Sequence, residues 1–118
     1  MKIKSDGNKK IIAVDGGKII GYLKWNHPQD YNPKRNVEIE WIEVNPRYRR
    51  QGIARKLIKF FLKKFRNIVW VSLWTGREME INKSYSLYKK LGFKEIAYQE
   101  DYYLDGVGTR LFVKRIKK

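Results

Sequence analysis

The stretch from residue 37 to residue 65 constrains the fold most, because a strand pattern leads through a short turn into a long amphipathic helix pattern. Val37 to Val44 alternates between polar and apolar residues, which predicts a half-buried strand that ends at Asn45-Pro46. From Ile53 to Phe65 the apolar residues recur at helical spacing, with lysines between them. A strand joined in this way to an amphipathic helix is typical of domains in which helices pack on a sheet.

The remaining patterns complete a mixed α/β or α+β domain that we assign to residues 1–118. Asp15-Gly16-Gly17 lies between two β-rich segments and predicts a hairpin, because glycine adopts the positive φ of such turns. Ile68 to Leu73 is a nearly continuous apolar run, which predicts a central strand covered on both faces. We further predict a helix capped by Asn82 that ends at Lys90. Other strands are expected at residues 10–14, 18–25, 93–98 and 109–116.

The composition excludes several kinds of catalytic site. The chain has no cysteine, which removes disulfides, thiolate metal sites and a cysteine nucleophile. With His27 as its single histidine, a Ser-His-Asp triad or a multi-histidine metal site is not expected, and we predict no metal. No apolar run is long enough to span a bilayer, and residues 1–5 lack an apolar signal core. We therefore expect no membrane association and a cytoplasmic protein.

The net charge of +15 predicts attraction to polyanions. Nucleic acid, acidic proteins and a phosphate-rich cofactor are all candidates, and many of the lysines have the spacing of a solvated helix face. A basic nucleic-acid-binding module is the main alternative to an enzyme, because basic grooves with stacking aromatic rings bind single strands. Trp41 and Trp70 lie in strand patterns and are expected in the core. The aromatic residues considered for stacking are Trp25, Trp41, Trp70, Trp74, Tyr102 and Tyr103.

The turn before the long helix has the features of an anion site. Gly52 lies where the helix begins, and the first turn of a helix exposes backbone N–H groups at the positive end of its dipole. Arg49 and Arg50 add side-chain donors that match phosphate geometry. The turn is neither a nucleotide P-loop nor a Gly-x-Gly-x-x-Gly motif. From the residues alone, it is either a phosphate cradle or a basic loop that contains a glycine.

Two motifs in this order resemble a known family. Arg49-x-x-Gly52-x-Ala54, between a strand and a helix, is similar to the glycine motif of the GNAT superfamily of acyl-CoA N-acyltransferases. Downstream, Tyr88-x-x-x-Gly92-Phe93 resembles the end of the second signature of that superfamily. The resemblance extends over about residues 10–116. It implies a twisted, mostly antiparallel sheet with a central parallel pair that splays apart, flanking helices, and acetyl-coenzyme A as acyl donor without a metal.

The resemblance also implies which residues bind the donor. Tyr88 matches the tyrosine that faces the coenzyme A sulfur, where a phenol with an ordinary pKa near 10 could protonate the leaving thiolate. Asn82 lies six residues before Tyr88, where seven is common in the family, at the position that contacts pantetheine. The strand end from Ile42 to Val44 would pair with the pantetheine arm. The residues implied for the pyrophosphate are Arg49, Arg50, Gln51, Gly52, Ile53 and Ala54.

An amine acceptor needs a base, because a lysine-type amine has a pKa of about 10.4 and is mostly protonated at neutral pH. Carboxylates on the third predicted strand are the natural candidates, directly or through a water. By register against the glycine motif, the resemblance implies Glu38 as the base, since several protein-acetylating members of the family carry theirs at this position; Glu40 is the second candidate and Glu43 the third. The absence of cysteine agrees with direct attack of the amine in a ternary complex.

The acceptor side is the part of the site that departs most from the family pattern. Only about 36 residues precede the third predicted strand, so the N-terminal helical pair that often walls the acceptor site is reduced or absent. We expect an open site built from residues 26–35 and 75–81, which suits a protein lysine or N-terminus better than a small amine. Residues 102–106 resemble a hairpin loop that shapes acceptor binding or dimer contacts. A catalytically inactive coenzyme A-binding protein is a further alternative, and we expect a monomer or small homo-oligomer.

Overall fold

A computed structural model describes residues 1–28 and 32–118. The predicted loop at residues 26–35 therefore lies partly outside the described residues. The elements in chain order are β1 (Lys2–Ser5), β2 (Lys10–Asp15), β3 (Lys18–Asn26), β4 (Asn36–Val44), α1 (Ile53–Lys64), β5 (Trp70–Trp74), α2 (Arg77–Asn82), α3 (Ser86–Lys90), β6 (Lys94–Leu104) and β7 (Val107–Arg115).

The strands form one seven-stranded sheet in the order β1-β2-β3-β4-β5-β7-β6. The β4–β5 pair is parallel, and the other neighbours are antiparallel. This pair is parallel because α1 carries the chain back across the sheet between the two strands, as a β-α-β crossover requires. The predicted mostly antiparallel sheet with a central parallel pair is confirmed.

The helices cover one face of this sheet. Ile53, Leu57 and Phe61 of α1 belong to the same buried cluster as Phe112 of β7. Phe112 also contacts the ring of Tyr88 in α3, so both helices pack on the face to which Phe112 points. The other face has no helical cover in the part of the chain that the model describes, and we call it the bare face. Its side chains include Glu38, Trp41, Ser72 and Trp74.

The bare face corrects two predictions about the core. Trp41 is 52% exposed and Trp74 is 47% exposed, so Trp41 is not a core residue and β5 is not covered on both faces. The reason at Trp41 is an irregularity in the β3–β4 pairing, which leaves Glu40 without a partner. The extra residue shifts the alternation by one, so that Ile42 and not Trp41 points towards the core. Trp70 is half-buried.

The second half of the chain corrects the predicted boundaries. The predicted loop at residues 75–81 contains α2, and Asn82 is the last residue of α2 and not the cap of α3. Lys83, with φ 54°, ends α2 and separates the two helices. The strand predicted at residues 93–98 extends further, as β6, to Leu104. Its full length was not predicted because every residue of β6 is exposed, so no alternation of buried and exposed residues marks where the strand ends. The predicted loop at 102–106 is therefore reduced to a tight turn.

The N-terminal region contains a strand where the sequence patterns indicated none. β1 pairs with β2, and residues 6–9 join them as a tight turn in which Gly7 has φ 54°. Within residues 1–28 and 32–36 the chain forms no helix. None of the helices in the described ranges is long and apolar enough to cross a bilayer.

Candidate active site

A cleft opens in the middle of the sheet where β4 and β5 separate. The two strands pair at Asn36–Trp70, Val37–Val71 and Glu38–Ser72, and then stop pairing. Beyond Glu38, β4 remains paired with β3 as far as Val44, while β5 remains paired with β7 as far as Trp74. The second half of β4 therefore turns one row of backbone N–H and C=O groups towards the cleft, where an extended ligand could pair with them. The predicted splay is confirmed.

The loop that follows β4 leads directly to the start of α1 beside this cleft. Residues 46–48 form a short 3-10 turn, which the Asn45 side chain caps by accepting a hydrogen bond of 3.0 Å from the Arg47 N–H. Arg50 and Gly52 both have positive φ, 66° and 74°. This backbone conformation leaves Arg49, Arg50 and Gln51 exposed at the helix N-terminus.

The first backbone N–H groups of α1 have no hydrogen-bond acceptor within the helix. The Lys56 N–H donates to the Gly52 carbonyl, so the N–H groups of residues 53–55 precede the first bond of the helix. Gly52 provides no side-chain cap, and the first turn contains no acidic residue. A Cβ added at Gly52 would find no atom within 4 Å, so the space beside Gly52 is open. Unpaired donors, open space and arginines nearby fit a phosphate or pyrophosphate group.

Tyr88 of α3 lies in an aromatic part of the core, next to β7. Its ring packs against Phe93 and Phe112, at centroid distances of 5.7 and 5.9 Å, and the residue is 4% exposed. Burial raises the pKa of Tyr88 well above its usual value of 10.0, which corrects the expectation of an ordinary phenol.

The three candidate bases lie on the bare face of β4. Glu38 is partly buried at the point where β4 leaves β5, whereas Glu40 and Glu43 are exposed. Burial, and second the charge of Glu40, raises the pKa of the Glu38 carboxyl above its usual value of 4.5. Glu43 lies opposite Tyr22 on β3. Glu38 is therefore the most buried of the three carboxylates, and its raised pKa makes it a stronger base than a solvated carboxylate.

A partly buried polar network between α2 and β7 was not predicted from the sequence. The Thr75 hydroxyl donates to Glu80 at 2.7 Å, and the Arg110 guanidinium pairs with Glu80 at 3.1 Å and with Glu95 at 3.1 Å. Tyr103 donates to the Thr75 carbonyl. Thr75 and Glu80 are five residues apart, but Glu95, Tyr103 and Arg110 lie further along the chain, and no local pattern links the set. The network holds α2 against β7 and so positions exposed Asn82 at the end of α2, separated from Tyr88 by the break at residues 83–85.

No metal site is formed within residues 1–28 and 32–118. In these ranges no group of three or more His, Cys, Asp or Glu side chains could hold a metal ion. The described residues do offer a partly buried carboxylate at Glu38, a phenol at Tyr88 that burial keeps protonated, and unpaired N–H groups at the start of α1.

Comparison with known proteins assigns the fold and the motifs to one family. The model of the acetyltransferase (GNAT) family matches residues 2–93. The N-alpha-acetyltransferase RimI of Mycobacterium tuberculosis is 26% identical over 103 residues, which cover 86% of this chain and 62% of that protein. An N-alpha-acetyltransferase of Sulfurisphaera tokodaii is 30% identical over 107 residues, which cover 80% of this chain and 62% of that protein.

A solved structure has the same fold. A chain in the crystal structure of the NatC complex bound to Gag peptide and CoA superposes with a TM-score of 0.77 at 23% identity, over 92% of this chain and 71% of that chain. The present chain spans about three fifths of the length of the two relatives above, 62% in each case.

The raised pKa of Tyr88 predicts how stability changes at alkaline pH. Below about pH 10 the phenol is neutral in both the folded and the unfolded chain, and above it the unfolded chain ionises first and gains stability. We expect the Tyr88 contribution to be fully present below pH 10 and to be lost as the pH rises above it. Tyr88→Phe should therefore flatten the decline of the melting temperature above about pH 10.

The control is Tyr102→Phe, because Tyr102 is 56% exposed. Thermal unfolding followed by circular dichroism measures both variants. An alkaline decline that is the same in wild type and in Tyr88→Phe would contradict the buried, neutral phenol.

Proposed function

The chain belongs to the GNAT acetyltransferase family, and from that premise we propose that it transfers the acetyl group of acetyl-coenzyme A to a primary amine. One observation supports this activity above all: the cleft between β4 and β5 opens beside the unpaired N–H groups at the start of α1. An elongated donor with a pyrophosphate at one end and a thioester at the other fits a cleft that has an anion cradle at its mouth.

In this proposal the chain holds the donor mainly through its backbone. The N–H groups of residues 51–54, with the Arg49 and Arg50 side chains, bind the pyrophosphate. The free backbone edge of β4 at Ile42 and Val44 pairs with the amide groups of the pantetheine arm, as an added strand would. Asn82 and Tyr88 complete the donor side. When bound, the donor supplies an acetyl group activated as a thioester.

Two side chains handle protons in the proposed mechanism. Glu38 removes a proton from the acceptor ammonium, directly or through a water, and its raised pKa makes it a stronger base than an exposed glutamate. Glu40, also on the bare face, is the second candidate for this base. Tyr88 keeps its phenolic proton at neutral pH, because burial disfavours the phenolate. That proton is available at the hydroxyl for the leaving sulfur. Alignment of the amine and the thioester in one complex supplies the remaining rate acceleration.

We assign the acceptor to the bare face and propose that it is a protein N-terminus or lysine. Trp41 on β4 and Trp74 on β5 present large exposed rings on the two strands that border the cleft, beside Glu38, Glu40 and Glu43. Exposed rings and carboxylates suit a peptide that ends in an ammonium group. The relatives named N-alpha-acetyltransferase support the same class of acceptor. A small amine is the alternative.

The proposal includes a cytoplasmic monomer or small homo-oligomer. The composition supports both features, with no cysteine and a net charge of +15.

The first test of the donor site is calorimetric titration with acetyl-coenzyme A. We expect micromolar binding by the wild type and loss of at least about 100-fold, or about 2.7 kcal/mol, in an Arg49→Ala, Gly52→Asp double variant. The variant removes one guanidinium and places a carboxylate in the open space at the start of α1.

The matched control is Lys4→Ala, Gly7→Asp. Gly7 also has positive φ and open space around it, but it lies in the β1–β2 turn. Equal loss of binding in both double variants, or no binding by the wild type, would count against the donor site.

The pH profile of kcat/KM tests the base. Because Glu38 must be ionised, activity should fall at acid pH with an apparent pKa above the usual value of 4.5. Glu40→Gln removes a neighbouring negative charge, so the acid limb should move to lower pH, although only in part because burial is the larger cause. Glu38→Gln should remove this limb and lower kcat by about 10²–10⁴-fold.

Exposed Glu100 on β6 serves as the control, and Glu100→Gln should leave the profile unchanged. Loss of the limb in Glu43→Gln, with Glu38→Gln still active, would transfer the role of base to Glu43.

Acceptor preference is tested with N-terminal peptides, free polyamines and aminoglycosides. We expect kcat/KM to be higher with peptides, and we expect Trp41→Ser to lower the value for peptides by about tenfold while acetyl-coenzyme A still binds. Ile19→Ser is the control, because Ile19 is as exposed as Trp41 but lies next to the β2–β3 turn. Acetylation of small amines together with none of peptides would contradict the proposed acceptor.

A further inference from the structure

The outer face of α1 carries a row of basic side chains. Ile53, Leu57, Ile58 and Phe61 are buried against the sheet, which turns the opposite side of the helix to solvent. Residues 53–66 contain six basic residues and no acidic residue. The exposed members of the outer face are Arg55, Lys56, Lys59 and Lys63.

Helix stability does not account for this row. Lys63 and Lys64 suit the negative end of the helix dipole, but Lys56 lies in the first turn, at the positive end. Lys59 and Lys63 are four residues apart, and like charges at this spacing destabilise a helix. In the described ranges, Arg110 is the one Lys or Arg side chain that forms an ion pair, so no carboxylate neutralises the row.

The row continues into a depression at the far end of the helix. Lys34, Lys64 and Lys117 line this depression together with Phe65, Asn67 and Ile68. Lysines from three separate parts of the chain line it, and no acidic side chain within residues 1–28 and 32–118 is among the lining residues. We define the basic ridge as Lys56, Lys59, Lys63, Lys64, Lys34 and Lys117.

We propose that the basic ridge binds the sugar-phosphate backbone of a nucleic acid. From Lys56 to Lys64 the helix rises about 12 Å, which is enough to follow several successive phosphates of one strand. Lysines alone recognise phosphates without reading bases, so binding should depend on salt and little on sequence.

A membrane surface fits the ridge less well. Proteins that bind a bilayer through a helix insert apolar side chains next to the basic ones. The large exposed hydrophobic side chains of this chain lie outside α1, whose apolar side is buried in the core.

The ridge is also separate from the proposed active site. It begins beyond the N–H groups at the start of α1 and extends to the opposite end of the helix. The helix packs on the face opposite the bare face, where Glu38 and Trp41 lie. A nucleic acid on the ridge would therefore leave the cleft accessible, and the inference stands whether or not the chain transfers acetyl groups.

The test is fluorescence anisotropy with a labelled single-stranded RNA of about 20 nucleotides and with its duplex, between about 50 and 200 mM salt. The test variant is Lys56→Gln, Lys59→Gln, Lys63→Gln. The control, Lys2→Gln, Lys4→Gln, Lys18→Gln, removes the same charge from exposed positions outside the ridge. We expect about tenfold weaker binding in the test variant, a log–log salt slope reduced by about two to three, and at most a twofold change in the control.

Two further measurements keep the result interpretable. Circular dichroism should show the same fold for all three proteins, and the test variant should bind acetyl-coenzyme A as the wild type does. Equal weakening in both triple variants would assign binding to net charge alone. No RNA or DNA binding by the wild type at about 100 mM salt, or tighter binding to phosphatidylserine vesicles than to RNA, would overturn the proposal.

Discussion

Burial of the apolar side of α1 against the sheet is the interaction on which the rest of the structure depends. The helix packs on β1, β2, β3 and β4, and its fully buried side chains contribute roughly 6–12 kcal/mol before the entropy of ordering is subtracted. Gly21 permits the close approach, because a Cβ there would lie 3.1 Å from the Glu43 carbonyl and 3.4 Å from Ile53. This contact fixes the start of α1 at the carboxyl end of β4. The anion cradle and the cleft therefore adjoin each other.

The two proposed contacts lie on opposite sides of the sheet. Glu38, Glu40 and Glu43 of β4 lie on the bare face, together with basic side chains such as Lys24 and Arg115 of neighbouring strands, whereas the basic ridge lies on the outer face of α1. A peptide acceptor and a nucleic acid would therefore not compete for the same surface. The bare face is open because no helix in the described residues packs on it. The same small domain thus has room for two kinds of contact.

The sequence predicted those parts of the fold whose signals are local. The strand, the turn with Gly52 and α1 follow from periodicity and backbone chemistry, and the two motifs indicated the family and the splay. The irregularity at Glu40 could not be predicted, because it depends on the register of β3 against β4 and not on β4 alone. Likewise α2 is six residues long, too short for a periodic signal. The pKa of Tyr88 depends on Phe112, which the β6–β7 hairpin brings from far along the chain. The roles of the donor and base residues stay predictions.

The short β4–β5 pairing divides the sheet into two halves. The ladder between its two halves consists of three residue pairs, so the shared core beneath α1 and α3 does most of the joining. The two strands are held together at these three pairs and separate from the last pair towards the ends of β4 and β5. Glu38 belongs to that last pair and therefore lies at the closed end of the cleft. A ligand that enters between the strands would meet this carboxylate at the point where the strands come together.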